Sequence, residues 1–114
     1  YKMVRVGDRD VRKQSEGKRT LAGKKQVFRQ TSADGRFIGD IIGTRDETMD
    51  NATALLKPVM KNGRLVGPMP PLSDIRVNFS KNFKRLDDCY KRLENADIYP
   101  VVVSDRLEAV QKKC

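Results

Sequence analysis

The sequence predicts an α+β fold, with short antiparallel strands and hairpins in residues 1–67 and helices in residues 72–114. Three observations predict it. Two turn signals, Ser32-Ala33-Asp34-Gly35 and Asn62-Gly63, separate short apolar runs in the first part. The run Gly67-Pro68-Met69-Pro70-Pro71 then ends any ladder, because proline has no N–H to give to it. Beyond the prolines the apolar residues change period: Leu72, Ile75, Phe79, Phe83 and Leu86 are three or four positions apart, the repeat of one helix face.

The elements follow in order. Tyr1–Val6 alternates, with Val4 and Val6 on one side, and reads as a strand. Lys24–Thr31 carries Val27 among polar residues, and Arg36–Gly43 carries Phe37, Ile38, Ile41 and Ile42. The Ser32–Gly35 turn joins these two into a hairpin, with Gly35 suited to positive φ. Thr44–Thr53 is polar and acidic and reads as a loop. Leu55–Met60 and Arg64–Gly67 flank Asn62-Gly63 as a second hairpin. In the helix from Leu72, Ser73 and Asp74 suit the positive end of the helix dipole, and Phe79 and Phe83 are expected in the core. Leu86, Cys89, Tyr90 and Leu93 extend that helix or form a short second one. Tyr99–Val103 is a strand or an extended stretch. Ser104 caps a last helix bearing Leu107 and Val110.

The chain has 114 residues, 38% hydrophobic and 34% charged, so it is one domain with a modest core. No apolar run approaches the roughly 20 residues that span a bilayer. Starting at Tyr1, the sequence reads as a piece of a longer soluble polypeptide. Residues 1–70 form a basic β-rich part and residues 71–114 a helical part of one domain.

The net charge of +9 is uneven: residues 1–36 hold 11 Lys and Arg against 4 Asp and Glu, while residues 37–70 balance. Such a field concentrates anions. The densest stretch, Lys13–Gln30, groups Lys13, Lys18, Arg19, Lys24, Lys25 and Arg29 around Gly17 and Gly23. Cations and free backbone N–H groups brought to one point suit a phosphate. It is not a P-loop: Arg12 stands where the first glycine is needed, and Arg19 follows Lys18 where Ser or Thr is needed. The plain alternative is a solvated basic loop between two strands. A basic nucleic-acid-binding module is the alternative function, although aromatics are only 6% and offer few stacking platforms.

There is no histidine, so Ser-His and Cys-His nucleophilic systems and phosphohistidine chemistry are absent from this chain. Cys89 and Cys114 are far apart and belong to no C-x-x-C, which argues against zinc and for free thiols. Asp87 and Asp88 are adjacent, and neighbouring helical residues diverge by about 100°, so they do not share a site. No catalytic constellation is contained here.

The segments Tyr1-Lys2-Met3-Val4, Arg12-Lys13-Gln14-Ser15-Glu16 and Lys18–Arg29 resemble the C-terminal region of nicotinate phosphoribosyltransferases, within the type II phosphoribosyltransferases. That family reads Y-K-L-V, then M-K-L-S-E-x-K-x-T-x-P-G-K-K-x-x-Y/F-R. Pro71-Leu72-Ser73-Asp74-Ile75-Arg76 and Tyr99-Pro100-Val101-Val102-Val103-Ser104 follow in the family's order, so the resemblance spans essentially the whole chain. Ala22 departs from the family's proline and Gln14 from its aliphatic residue.

The resemblance implies the C-terminal domain of a cytoplasmic NAD-biosynthesis enzyme, a glycosyltransferase and ligase. It joins nicotinate to 5-phosphoribosyl-1-pyrophosphate, with ATP hydrolysis through a phosphorylated histidine in a preceding barrel. It implies ATP and Mg2+ for the whole enzyme and none in this piece. The implied partners are the barrel and N-terminal strands, phosphoribosyl pyrophosphate and a second subunit in a homodimer, with no membrane. The piece alone is expected to be inactive. Lysines that contact phosphate in related enzymes match Lys13, Lys18 and Lys2. No metal ligand and no catalytic residue is implied here.

Overall fold

The computed structural model describes residues 2–114. Among the described residues, eight short strands and two helices occur in the order β1 (Arg5–Val6), β2 (Arg9–Asp10), β3 (Lys25–Thr31), β4 (Phe37–Thr44), β5 (Ala52–Ala54), β6 (Met60–Lys61), β7 (Arg64–Leu65), α1 (Leu72–Arg85), β8 (Val101–Val103) and α2 (Asp105–Lys112), with a 3-10 turn at Asp88–Tyr90 between α1 and β8. The architecture is α+β.

The organising element is a four-stranded sheet in the order β5-β3-β4-β8. β3 and β4 form the expected hairpin, with Val27 opposite Ile42 and Arg29 opposite Asp40. The turn closes because Gly35 takes φ 83° and its N–H reaches the Ser32 carbonyl at 2.9 Å. An irregularity between Gln30 and Thr31 brings Thr31 opposite Phe37. β5 adds antiparallel to β3 through Ala52, Thr53 and Ala54, so strand begins at Ala52, three residues before the expected start at Leu55.

Of the two readings of residues 99–103, the strand is adopted over Val101–Val103, with Tyr99 and Pro100 outside it. β8 lies parallel to β4, with Asp40 opposite Val101 and Ile42 opposite Val103. The latter part of the chain is therefore not purely helical. A parallel pair needs a long crossover, and α1 with the turns after it supplies one. At the start, only Arg5 and Val6 of the expected first strand are paired, with Asp10 and Arg9; Tyr1 lies outside the described residues. In the second hairpin, only Met60–Lys61 and Arg64–Leu65 pair, around Asn62 at φ 52° and Gly63 at φ 75°, the paired left-handed residues of a type I′ turn.

Among the described residues the buried apolar side chains are Ala22, Phe28, Phe37 and Leu107, joined by buried Thr20, Asp40, Thr44 and Gln111. These buried residues come from β3, β4, α2 and the segment Thr20–Ala22. Ser104 caps α2 as expected, its Oγ accepting from the Leu107 N–H at 3.1 Å. That hydroxyl also donates to Glu47 Oε2 at 2.8 Å, tying the cap to the loop after β4.

The stripe on α1 corrects the sequence reading. No residue of α1 is buried, and Phe79 and Phe83 stand exposed, stacked on each other with ring centroids 5.4 Å apart. Periodicity establishes that a helix has an apolar face, but not that the same chain covers it. α1 meets the rest of this chain mainly through its last turn. Arg85 Nε donates to the Gly35 carbonyl at 2.7 Å, and its guanidinium lies 4.5 Å from the Phe37 ring centroid.

Candidate functional site: a lysine-lined cavity

Residues 11–24 form an irregular loop between β2 and β3, and three devices hold it. First, the Val4 carbonyl accepts from both ends of the loop, the Val11 N–H at 3.1 Å and the Gly23 N–H at 2.8 Å. Gly23 sits at φ 90°, where an added Cβ would meet Val110 at 3.3 Å, so both the backbone conformation and the packing call for glycine. Second, Ser15–Lys18 makes a tight turn, closed by the Lys18 N–H to the Ser15 carbonyl at 3.1 Å, with Gly17 at φ 72° in the position that type II turns reserve for glycine. Third, Gln111 of α2 reaches back to Ala22, accepting from its N–H at 2.8 Å and donating to its carbonyl at 3.0 Å.

This scaffold brings Lys2, Lys13 and Lys18 to the wall of one cavity of about 340 Å³, together with Met3, Ser15 and Thr20. Lys2 is fixed there by donating to Thr20 Oγ1 at 3.0 Å. No acidic side chain lines the cavity. Three lysines and two hydroxyl side chains thus line one space, and the lining carries positive charge and rotatable hydrogen-bond donors, the chemistry that an oxyanion calls for.

The remaining cations of the stretch do not join them. Arg19 pairs with Glu108 of α2 at 3.1 Å. Lys25 folds back onto the Leu21 and Gly23 carbonyls at 2.8 and 2.7 Å; its burial pushes the ammonium pKa down, against the opposing pull of Asp10. Lys24 lines a separate cleft with Arg5, Arg45 and Arg106. Arg29 belongs to the sheet, donating twice to Asp40 at 2.9 and 2.8 Å. The single point of convergence expected of six cations is thus two of them plus Lys2. Thr20, Ser15 and Gln111 escaped the sequence reading. Thr20 carries no local signal beyond its place two residues after Lys18, and Gln111 acts across 89 positions.

A second polar cluster surrounds Asp40. Besides the Arg29 fork, Tyr99 Oη donates to Asp40 Oδ1 at 3.0 Å. Burial pushes the Asp40 carboxyl up, but the bonds from Arg29 and Tyr99 outweigh it and hold the carboxyl below its ordinary range. Burial, and then the Asp40 carboxylate it faces, push the Tyr99 phenol up to about 12. Among the described residues no three His, Cys, Asp or Glu side chains converge as a metal site requires, and no helix is long and apolar enough to cross a membrane. Both cysteines are free, Cys89 half-buried and Cys114 exposed.

The family model for the nicotinate phosphoribosyltransferase C-terminal domain matches residues 48–111, more than half of the chain. The chain belongs to that family. Nicotinate phosphoribosyltransferases of Bos taurus and Homo sapiens are each 28% identical to it over 134 aligned positions, covering 96% of this chain. Nicotinate phosphoribosyltransferase pncB2 of Mycobacterium tuberculosis is 35% identical over 109 positions, covering 94%. The crystal structure of human nicotinic acid phosphoribosyltransferase superposes with a TM-score of 0.81 at 26% identity over 96% of this chain. The chain spans about a quarter of the length of these relatives: 25% of the bovine and human proteins and 23% of the mycobacterial one. The family match begins after the lysine loop; the pairwise matches cover nearly the whole chain.

Proposed function

We propose that this chain serves as the C-terminal domain of an enzyme that makes nicotinate mononucleotide and pyrophosphate from nicotinate and 5-phosphoribosyl-1-pyrophosphate. The bond formed is a glycosidic C–N bond. ATP hydrolysis with Mg2+ drives the reaction elsewhere in the polypeptide, in a cytoplasmic homodimer. This domain contributes no nucleophile and no base, and alone it turns over no substrate. Its membership of the family and the absence of any histidine support that division of labour.

One observation carries the domain's chemical role: Lys2, Lys13 and Lys18 line a single cavity free of acidic side chains. Pyrophosphate leaves with growing negative charge. Ammonium groups fixed beside its path stabilise the transition state more than the ground state, and thereby speed the step. Lys13 precedes the Ser15–Lys18 turn and Lys18 closes it, and these two are the principal contacts; Lys2, held by Thr20, is the third.

The test is steady-state kinetics of the complete enzyme carrying Lys13→Ala or Lys18→Ala. Each substitution is expected to raise KM for phosphoribosyl pyrophosphate or lower kcat by roughly tenfold, the loss of one charge-assisted contact. Unchanged kinetics in both variants would overturn the lysine assignment. Absence of nicotinate mononucleotide formation by the unmodified enzyme would overturn the activity.

A further inference from the structure

Thr20 differs from the rest of the lysine cavity. It is only 8% exposed, while Lys2, Met3, Lys13, Ser15 and Lys18, which complete the lining, are all exposed. A buried hydroxyl needs partners for an oxygen that accepts and for a proton that it donates. The oxygen has one: Lys2 Nζ donates to Thr20 Oγ1 at 3.0 Å. An ammonium can only donate, so the direction of that bond is fixed and the hydroxyl proton is left over. Among the described residues no carbonyl or carboxylate accepts it, and no acidic side chain lines the cavity.

The backbone holds this hydroxyl from both sides. Two residues before it, the Lys18 N–H closes the turn from Ser15 at 3.1 Å. Two residues after it, Gln111 bonds the Ala22 N–H and carbonyl at 2.8 and 3.0 Å. A lysine must freeze a flexible four-carbon stem to present its charge, whereas threonine turns about one branched, restricted bond. We propose that Thr20 is a binding residue for the pyrophosphate group: its O–H donates to a non-bridging phosphate oxygen while its oxygen accepts from Lys2. One buried hydroxyl thus contacts the anion and aims the ammonium beside it. The inference rests on the reading that the lysine cavity takes pyrophosphate. The two bonds reinforce each other, because an ammonium donating to Oγ1 polarises the O–H and makes it a stronger donor. A charged phosphate oxygen also outcompetes water for that proton, since bonds to ionised groups are roughly twice as strong as neutral ones.

Calorimetric titration of the complete protein with inorganic pyrophosphate tests the assignment. Thr20→Val keeps the shape and removes the hydroxyl; Thr20→Ser keeps the hydroxyl. The valine variant is expected to bind about tenfold more weakly, and the serine variant within about twofold of the parent. The same pair in a Lys2→Ala background separates contact from positioning. With Lys2 gone, Thr20→Val should still cost about threefold or more, because the hydroxyl touches the ion itself. No further loss in that background would overturn the inference and leave Thr20 as a prop for Lys2. So would binding that Thr20→Val leaves unchanged, or a loss that Thr20→Ser shares in full. Should the valine protein fail to fold, Thr20→Ala carries the same comparison. Binding that responds to Lys13→Ala and Lys18→Ala but not to Thr20→Val sinks this inference alone, and binding that responds to none of them sinks the lysine reading with it. Pyrophosphate binding that needs the Thr20 hydroxyl, in a protein that forms no nicotinate mononucleotide, would sink the enzymatic reading and leave Thr20 in its role.

Discussion

Gln111 and Ala22 exchange two hydrogen bonds across 89 positions of sequence, side-chain amide to backbone amide, at 2.8 and 3.0 Å. Both residues are buried, and the glutamine stands in for a strand partner that the irregular loop lacks. Where the family's pattern has proline, Ala22 has an N–H, and that N–H is the donor used. Gln111→Leu would leave a buried N–H without its partner, so it should destabilise the chain by about 2–3 kcal/mol. Urea unfolding gives the loss, and amide exchange in residues 11–24 should rise with it. A loss below about 0.5 kcal/mol would show that water replaces the glutamine and that the loop holds itself.

The Tyr99–Asp40 bond makes stability depend on alkaline pH. The Tyr99 phenol is raised in the folded chain to about 12, above its ordinary value near 10. Its contribution is therefore complete below about pH 10 and is lost as pH climbs towards 12, by up to about 2 kcal/mol. Lysines titrate in the same window, so the informative quantity is the difference between the parent chain and Tyr99→Phe. The two urea midpoints should lie furthest apart near neutral pH and converge by about pH 12. A gap that stays constant over that range would contradict the coupling. On the acid side the sign reverses. Asp40 is held low, so its share is present at neutral pH and fades as pH falls through its depressed pKa.

Local signals in the sequence transferred well to the structure. Ser32–Gly35, Asn62-Gly63 and Ser104 are a turn, a turn and a cap because their conformations are decided by the few residues within them. Long-range relations were not legible. Nothing near Val101 says that it will lie parallel to Asp40, and nothing near Ala22 points to Gln111. The α1 stripe marks the boundary most clearly. Spacing identified the helix, but assigning Phe79 and Phe83 to a core assumed a second layer that the described residues do not supply. In the lysine loop, charge density identified the stretch, while the sorting of its cations depended on distant acids and carbonyls: Glu108 takes Arg19, Asp40 takes Arg29, and the loop's own carbonyls take Lys25.

The lysine cavity should bind inorganic pyrophosphate in the isolated chain, weakly and with marked salt dependence, because its donors are exposed charges screened over about 8 Å at physiological ionic strength. The double change Lys13→Ala with Lys18→Ala should weaken binding by about tenfold or more in titration calorimetry, since two charge-assisted contacts are removed. Lys24→Ala lies in the separate cleft and should change little. Equal losses from all three lysines would mean that the ion senses only the general field of the N-terminal third.

Gly43 offers the sharpest test of packing around the sheet. It faces Phe28 and the loop after β4, and a Cβ built there would lie 2.5 Å from Glu47 Oε2 and 3.0 Å from the Phe28 ring. Neither neighbour is free to retreat. Glu47 Oε2 accepts from the Thr44 N–H and from Ser104 Oγ, the cap of α2, and Phe28 is buried. Gly43→Ala should therefore destabilise by about 1–3 kcal/mol, as overpacking does, although alanine is the better residue for a strand's backbone entropy. The displaced carboxylate should also loosen the Ser104 cap, so faster amide exchange in α2 is expected alongside the lower melting temperature. A variant as stable as the parent, with α2 unchanged, would show that Glu47 swings away at no cost and that the link from β4 to α2 is not built through it.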